Sequence, residues 1–303
     1  MHEAAARALD KARATCQPSG LGTDPGRAML RIAHLSDTHV TAPSERLCGL
    51  HTPTLLRRAL EAIARGEAGG PVDAIVITGD LTHRGEPAAY DELRRCLDGV
   101  ALPVYLGIGN HDRRAAFRAA FDAEPRYEQG DFVQYVVEDF PGHRLIMLDT
   151  AVDGAPAGRL CPARLDWLDR ALAADSRTPT LVFLHHPPFR CHIPPLDAIG
   201  LEGIEGLAEV IARHPQVASL HAGHVHRAMS GRLGRVPAVA VPSTCHQVAL
   251  DLAAPELVVS YEPPGFGLIL ADGDQILCHA VAFADAATPR LAYGPMRAWP
   301  ARD

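Results

Sequence analysis

The sequence predicts an α/β fold in which mixed sheets are flanked by helices, and three observations carry that expectation. Short apolar runs alternate with amphipathic stretches from residue 29 to residue 121, the rhythm of successive βα units. After that, pairs of apolar runs follow one another with turn residues between them. The composition, 47% hydrophobic and 21% charged over 303 residues, is that of an ordinary globular chain long enough for one sizeable core and a smaller addition.

Taken in order, residues 29–35 read as a strand, and Thr52 with Pro53 opens a helix as N-cap and first helical residue. Leu55, Leu56, Ala59, Leu60 and Ile63 give that helix one apolar stripe. Residues 74–78 (AIVIT) form a β-branched strand, residues 87–97 a second helix and residues 104–108 a third strand, with Asp112 expected to cap a helix through Phe121. Residues 132–138 and 144–149 look like neighbouring strands joined at Pro141 and Gly142. A helix from Pro162 presents Leu165, Leu168 and Leu172 on one face; a strand at 181–184, a proline-rich loop at 187–200, a helix at 204–213 and a strand at 217–221 follow. A Pro-rich segment then leads to two last strands within 266–282. The expected organisation is a loosely ordered extension at 1–28 (Met29 being an alternative start), a main domain at 29–249 and a C-terminal appendage at 250–303.

Composition also excludes. A net charge of −7 argues against a nucleic-acid polymer as partner, which is usually met by a basic stripe. No run of 18 apolar residues exists, so no membrane span is expected. The seven cysteines are scattered, odd in number and without a Cys-x-x-Cys pair, the pattern of reduced thiols in the cytoplasm. A homo-oligomer is compatible with the charge, and nothing fixes it. Histidine is over-represented, 16 residues against 8 Phe.

Those histidines cluster just after the apolar runs. The strand ends are followed by Ser36-Asp37-Thr38-His39, Gly79-Asp80, Gly109-Asn110-His111-Asp112, His185-His186-Pro187-Pro188 and Gly223-His224-Val225-His226. Ligand crevices of open α/β sheets lie at the carboxyl ends of strands, so these side chains are placed to converge. Asp37 and His39, two apart on an extended chain, share one side, as do His224 and His226. Imidazole with carboxylate suits Zn, Mn or Fe. Asp37, His39, Asp80, Asn110, His185, His224 and His226 are too many for one catalytic ion, which takes three or four protein ligands. They are better shared by two ions with one carboxylate between them, ~3.5–4 Å apart. Gly79, Gly109 and Gly223 fit the tight turns such a site needs. Singly, each Asp is as readily a turn or cap residue and each His a satisfied core residue; the ordered set favours ligation.

The ordered set resembles the calcineurin-like metallophosphoesterase superfamily over residues 30–249. Leu35-Ser36-Asp37-Thr38-His39, Gly85-Glu86-Pro87 with Tyr90, His185-His186-Pro187-Pro188 and Thr244-Cys245-His246-Gln247 resemble its class III cyclic nucleotide phosphodiesterases and the related bacterial glycerophosphodiesterases. The resemblance implies a four-layer αββα sandwich with the metal site at strand C-terminal ends. It implies that Asp37, His39 and His226 hold one ion, that Asn110, His185 and His224 hold the other, and that Asp80 bridges. Two divalent or trivalent ions per chain are implied (Fe, Mn or Zn, with Co accepted). His111 is implied at the scissile phosphate or the leaving oxygen.

The expected activity is hydrolysis of a small phosphodiester, 3′,5′-cyclic AMP first and a glycerophosphodiester as the alternative, by in-line attack of a metal-bridging hydroxide. His111 is the candidate general acid, because imidazole titrates near working pH. Asn110, His111 and His246 are candidate substrate contacts, with Gln247, Arg190 and His192 similarly placed. Arg113 and Arg114 read as a solvated helix face or an anion lure; His34 and His221 as structural; His51 and His83 as surface loop residues. A non-catalytic binding protein of this fold and a one-ion metal sensor are the rival classes; the first is disfavoured because every expected ligand position is filled.

Overall fold

Parallel strands that end at one level decide where the loops of this chain gather. The computed structural model describes residues 29–67, 69–128 and 130–283; residues 1–28, the expected extension, and the end of the expected appendage lie outside them. The first part of the chain forms β1 (Leu30–Leu35), α1 (Thr52–Ala64), β2 (Ala74–Ile77), α2 (Pro87–Leu97), β3 (Val104–Leu106) and α3 (Arg114–Ala120). The middle forms β4 (Tyr135–Phe140), β5 (His143–Leu148), β6 (Gly158–Arg159), α4 (Pro162–Ala173), β7 (Thr180–Leu184), α5 (Pro194–Asp197), β8 (Leu201–Glu202), α6 (Ile204–Arg213) and β9 (Val217–Ala222). The chain continues through β10 (Met229–Leu233), β11 (Val236–Ala240), β12 (Gln247–Val248), β13 (Val259–Ser260), β14 (Gly265–Asp272) and β15 (Gln275–Ala282).

Two mixed sheets result, in the orders β15-β14-β1-β2-β3 and β10-β11-β9-β7-β5-β4. Leu35 of β1 lies opposite Ile77 of β2, and Ile77 opposite Leu106 of β3, all parallel, so three strands end at one level. In the second sheet Leu148 of β5 lies opposite Leu184 of β7, and Phe183 opposite His221 of β9, also parallel. Side chains alternate across these strands. Leu145, Met147, Leu181 and Phe183 face the first sheet, in one apolar cluster with Ile32, Ile75, Leu106 and Phe266. Their neighbours Ile146, Leu148, Val182 and Leu184 face outward onto Leu168 and Leu172 of α4 and Leu207, Val210 and Ile211 of α6. Helices α1 to α3 pack into the first cluster through Leu56, Leu60, Tyr90, Leu93 and Phe117. The layers therefore run helix, sheet, sheet, helix, as an αββα sandwich. None of the described helices is long and apolar enough to cross a membrane.

Three local expectations meet a different physical solution. Thr52 is the first residue of α1 rather than its cap; its hydroxyl donates to the His39 carbonyl at 2.8 Å and accepts from the Thr41 N–H. Asp112 does not cap α3, whose N-cap is Arg113 without a side-chain bond; its carboxylate is used elsewhere, as described below. The stretch from residue 250 supplies β14 and β15 to the first sheet, β14 pairing antiparallel with β1 through Ile32 opposite Ile269, so these strands share the main core.

His34 and His221 lie in the seam between the sheets. The His34 ring stands edge-on to Phe183 at 5.3 Å and bonds Thr78 Oγ1 at 2.9 Å. His221 stacks on Phe183 at 5.0 Å and bonds Ser219 Oγ at 2.7 Å. Burial pushes the His221 pKa down to about 3 and, with the neighbouring His221, holds His34 well below the ordinary imidazole value. Folded rings thus stay neutral where unfolded ones, titrating near about 6.5, bind protons. Stability from this seam is complete above about pH 6.5 and declines as pH falls towards 3, by up to about 1.4 kcal/mol per pH unit for each ring. Replacing His221 with Phe keeps a ring against Phe183 and should flatten that acid limb in denaturant unfolding measured at stepped pH; an unchanged slope would contradict the assignment.

Candidate metal centre

Five strand ends open on the same rim, and the backbone there is forced out of the usual regions. Asp37, His39, Asp80, His224 and His226 all adopt positive φ, between 42° and 68°. Side chains with a Cβ rarely adopt this conformation, and it persists only where surrounding contacts overdetermine it. Those contacts run between loops. Asp37 N–H donates to the Gly79 carbonyl, His39 N–H to the Asp80 carbonyl, and Gly223 N–H to the His185 carbonyl. His224 N–H donates to Asp37 Oδ2 at 2.9 Å, His111 N–H to Asp80 Oδ1 at 2.8 Å, and the Ser243 hydroxyl to the Asp37 carbonyl at 2.8 Å. Two glycines allow the loops to approach: a Cβ on Gly109 would overlap Asp80 Oδ1, and one on Gly223 would overlap Ser36 Oγ.

The side chains gather in two adjoining groups. Ligand atoms of Asp37, His39, Asp80 and His226 lie within 4.8 Å of one another, all buried. His39 Nε2 is 3.1 Å from His226 Nε2 and 3.6 Å from Asp80 Oδ2, and His226 Nε2 is 3.3 Å from Asp37 Oδ1. The second group centres on Asn110 Oδ1, 3.1 Å from His185 Nε2 and 3.0 Å from His224 Nδ1. Asp80 joins them, because its other oxygen, Oδ1, is 3.4 Å from His185 Nε2. All seven residues singled out from the sequence are thus in one place.

Whether these atoms suit a cation is answered by the opposite side of the rings. His226 Nδ1 pairs with the His246 carbonyl at 2.9 Å, and His224 Nε2 with the Ile199 carbonyl at 3.1 Å. A carbonyl accepts, so those nitrogens carry the protons, and in the neutral rings the inward nitrogens present lone pairs. The His224 lone pair faces Asn110 Oδ1, itself an acceptor, at 3.0 Å in a buried pocket. Acceptors so opposed repel unless positive charge sits among them. Asp37, by contrast, raises the His226 pKa against burial and so favours a proton on the nitrogen that faces it. The acidic groups draw that charge in. Burial works to raise Asp37 and Asp80, yet His226 beside Asp37 and His185 beside Asp80 hold both well below the carboxylate range. Burial works against a charged His185, and the Asp80 carboxylate nevertheless lifts it to about 9. This donor set, two aspartates, an amide and four imidazoles around an acceptor-rich pocket, fits the binding of cations.

Residues around the centre divide clearly. His111 is partly open, its side chain 37% exposed, with Nδ1 2.7 Å from the His83 carbonyl and Nε2 3.9 Å from Asp80 Oδ2. The His246 ring lies 4.6 Å from that of His226 and 5.6 Å from that of His39, so it borders the centre. The Gln247 side chain turns back onto Ser243 N and O. His186 is beside His185, but both its ring nitrogens are engaged, by Thr150 Oγ1 and the Pro156 carbonyl. Arg114 is tied to Asp149, Asp153 and the Ala151 carbonyl, a structural use, while Arg113 is exposed. Arg190 pairs with Asp197 and His192 is exposed, both on the loop whose Ile199 carbonyl holds His224.

Two functional neighbours escaped the sequence reading. His83 is half-buried rather than free on the surface: its ring packs on those of His111 and His39. Asp112 is a clamp. Its carboxylate accepts from the N–H groups of Leu81, Thr82 and Gly109 and from the hydroxyls of Thr82 and Tyr90, tying the loop after β2 to the loop after β3. Its place in Gly109-Asn110-His111-Asp112 was the available signal, although an Asp before a helix looks locally like a cap.

Comparison with known proteins gives a family and a fold. The family model described as calcineurin-like phosphoesterase matches residues 30–228. A probable cyclic nucleotide phosphodiesterase of Rhodopseudomonas palustris is 38% identical over 258 residues, which is 84% of this chain and 93% of the relative. A probable glycerophosphodiester phosphodiesterase of Arcobacter nitrofigilis is 34% identical over 200 residues, 65% of this chain and 72% of the relative. A dimetal phosphatase from Danio rerio superposes with a TM-score of 0.59 at 16% identity, over 84% of this chain and 96% of that one, a likeness of fold.

Replacing Asp112 with Ala leaves several buried donors without an acceptor and should cost at least about 3 kcal/mol in denaturant unfolding. A cost below about 1 kcal/mol would show that the two loops hold their geometry without it.

Proposed function

The chain belongs to the calcineurin-like phosphoesterase family, and on that premise we propose that it hydrolyses small phosphodiesters at a two-cation centre, with 3′,5′-cyclic AMP its preferred substrate. It is a metal-dependent phosphoric diester hydrolase. The observation that carries the proposal is the position of Asp80, whose two oxygens face different imidazole groups, Oδ2 towards His39 and Oδ1 towards His185. In this reading Asp37, His39 and His226 hold one cation, Asn110, His185 and His224 the other, and Asp80 is shared.

Bound there, two cations of the Fe, Mn or Zn type supply an activated water and offset charge on the phosphoryl oxygens. The chain's own residues orient and exchange protons. The Ile199 and His246 carbonyls fix which nitrogen of His224 and of His226 faces inward. His111 does the same for itself: with Nδ1–H bound to the His83 carbonyl, a protonated ring has its other N–H, at Nε2, directed towards Asp80 and free to pass to the leaving oxygen. With its side chain 37% exposed, His111 is reachable by substrate. His246, against His226 and His39, lines the same entrance as a substrate contact.

The relative from Rhodopseudomonas palustris supports a cyclic nucleotide, and the one from Arcobacter nitrofigilis keeps a glycerophosphodiester as the second reading. The six described cysteines are free, which supports a reducing compartment, the cytoplasm. The test is a hydrolysis panel with defined metal loading: cyclic AMP, glycerophosphoethanolamine and a generic aryl phosphodiester. Cyclic AMP is expected to give the highest kcat/KM. Glycerophosphoethanolamine in first place selects the second reading, and the aryl diester in first place defeats both.

A further inference from the structure

The loop between Asp80 and Gly85 carries one imidazole that the reading above leaves without a task. His83 is pinned through its backbone: its N–H donates to the Val40 carbonyl at 3.1 Å, and its carbonyl accepts from His111 Nδ1 at 2.7 Å. Flanking residues are held too, Leu81 and Thr82 by the Asp112 carboxylate and Gly85 N–H by the Thr82 hydroxyl. The side chain, by contrast, is not anchored by its own hydrogen bonds, since Nδ1 is buried without a partner. What locates the ring is packing. It lies nearly parallel to the His111 ring, 21° between planes and 5.4 Å between centroids, and meets the His39 ring at 5.8 Å.

The His111 ring is held by its bond to the His83 carbonyl and, edge-on at 4.7 Å, by the His39 ring; a flat neighbour along its face removes the swing that remains. We propose that His83 is a positioning residue for His111, its ring acting as the wall that keeps His111 Nε2 turned towards Asp80 and the leaving oxygen. The inference rests on the reading of His111 as proton donor. It requires only the flat face of His83, so an aromatic ring without nitrogen serves equally. Misplacing a proton donor by a fraction of an ångström lowers the chemical step without touching the cation-holding side chains.

The experiment uses His83→Ala, His83→Phe and His111→Ala as metal-loaded full chains, with metal content and unfolding midpoint measured on each. Two substrates separate the roles: a p-nitrophenyl diester, whose leaving group departs without a proton, and whichever alkyl diester of cyclic AMP and glycerophosphoethanolamine the parent enzyme turns over faster. His83→Ala is expected to lose at least about tenfold in kcat on the alkyl diester, less than about threefold on the nitrophenyl diester, with KM little changed. His83→Phe should recover most of the loss. Equal losses on both substrates, a loss confined to KM, or no recovery with Phe each overturn the inference. His111→Ala distinguishes the two readings. If it shows the leaving-group-dependent loss and His83→Ala does not, the positioning role alone falls; if neither shows it, the proton-donor reading falls with it.

Discussion

A single carboxylate organises this molecule. Asp80 lies at the end of β2, the middle strand of three parallel ones, and its oxygens meet His39 on one side and His185 on the other. One of those imidazoles follows the first sheet and the other follows the second. The sandwich must therefore close to a definite separation and register before the two groups can share Asp80. Its backbone accepts a left-handed conformation to do this, as do four of the other residues around it. Backbone strain at so many neighbouring positions is tolerable because hydrogen bonds from adjacent loops hold each one, and a buried cluster of acceptors gains most when cations occupy it.

The surrounding shell serves the same end by different chemistry. Main-chain carbonyls from three separate loops, at His83, Ile199 and His246, each accept a hydrogen bond from one imidazole and so decide which nitrogen faces inward. Asp112 does the work of a covalent strap between the loops after β2 and β3, with five donors on one buried carboxylate. Behind them, neutral His34 and His221 fill the seam between sheets against Phe183. Each of these two rings pairs one nitrogen with a hydroxyl, and burial keeps both uncharged.

Much of this was readable in the amino-acid order because the informative signals are local. Apolar runs such as AIVI announce strands, and the residues just after them are the ones brought together. The less legible parts depend on contacts across long stretches of chain. Whether Asp112 caps a helix or clamps two loops is decided by Leu81 and Thr82, some thirty residues upstream. Whether His83 is surface or wall depends on where His111 arrives. The pairing of β14 with β1 joins residues near opposite ends of the described chain, and no periodicity in either strand names its partner. Left-handed φ at Asp37 or His224 likewise has no residue-type signature, since glycine is the usual marker and these are not glycine.

The arrangement depends on one aspartate lying between two cations. Crystals of the metal-loaded protein, measured at the absorption edge of the metal supplied, test it most directly. Two anomalous peaks are predicted, one among Asp37, His39 and His226 and one among Asn110, His185 and His224, each adjacent to an Asp80 oxygen. A single peak at full loading, or two peaks of which only one touches Asp80, would contradict it.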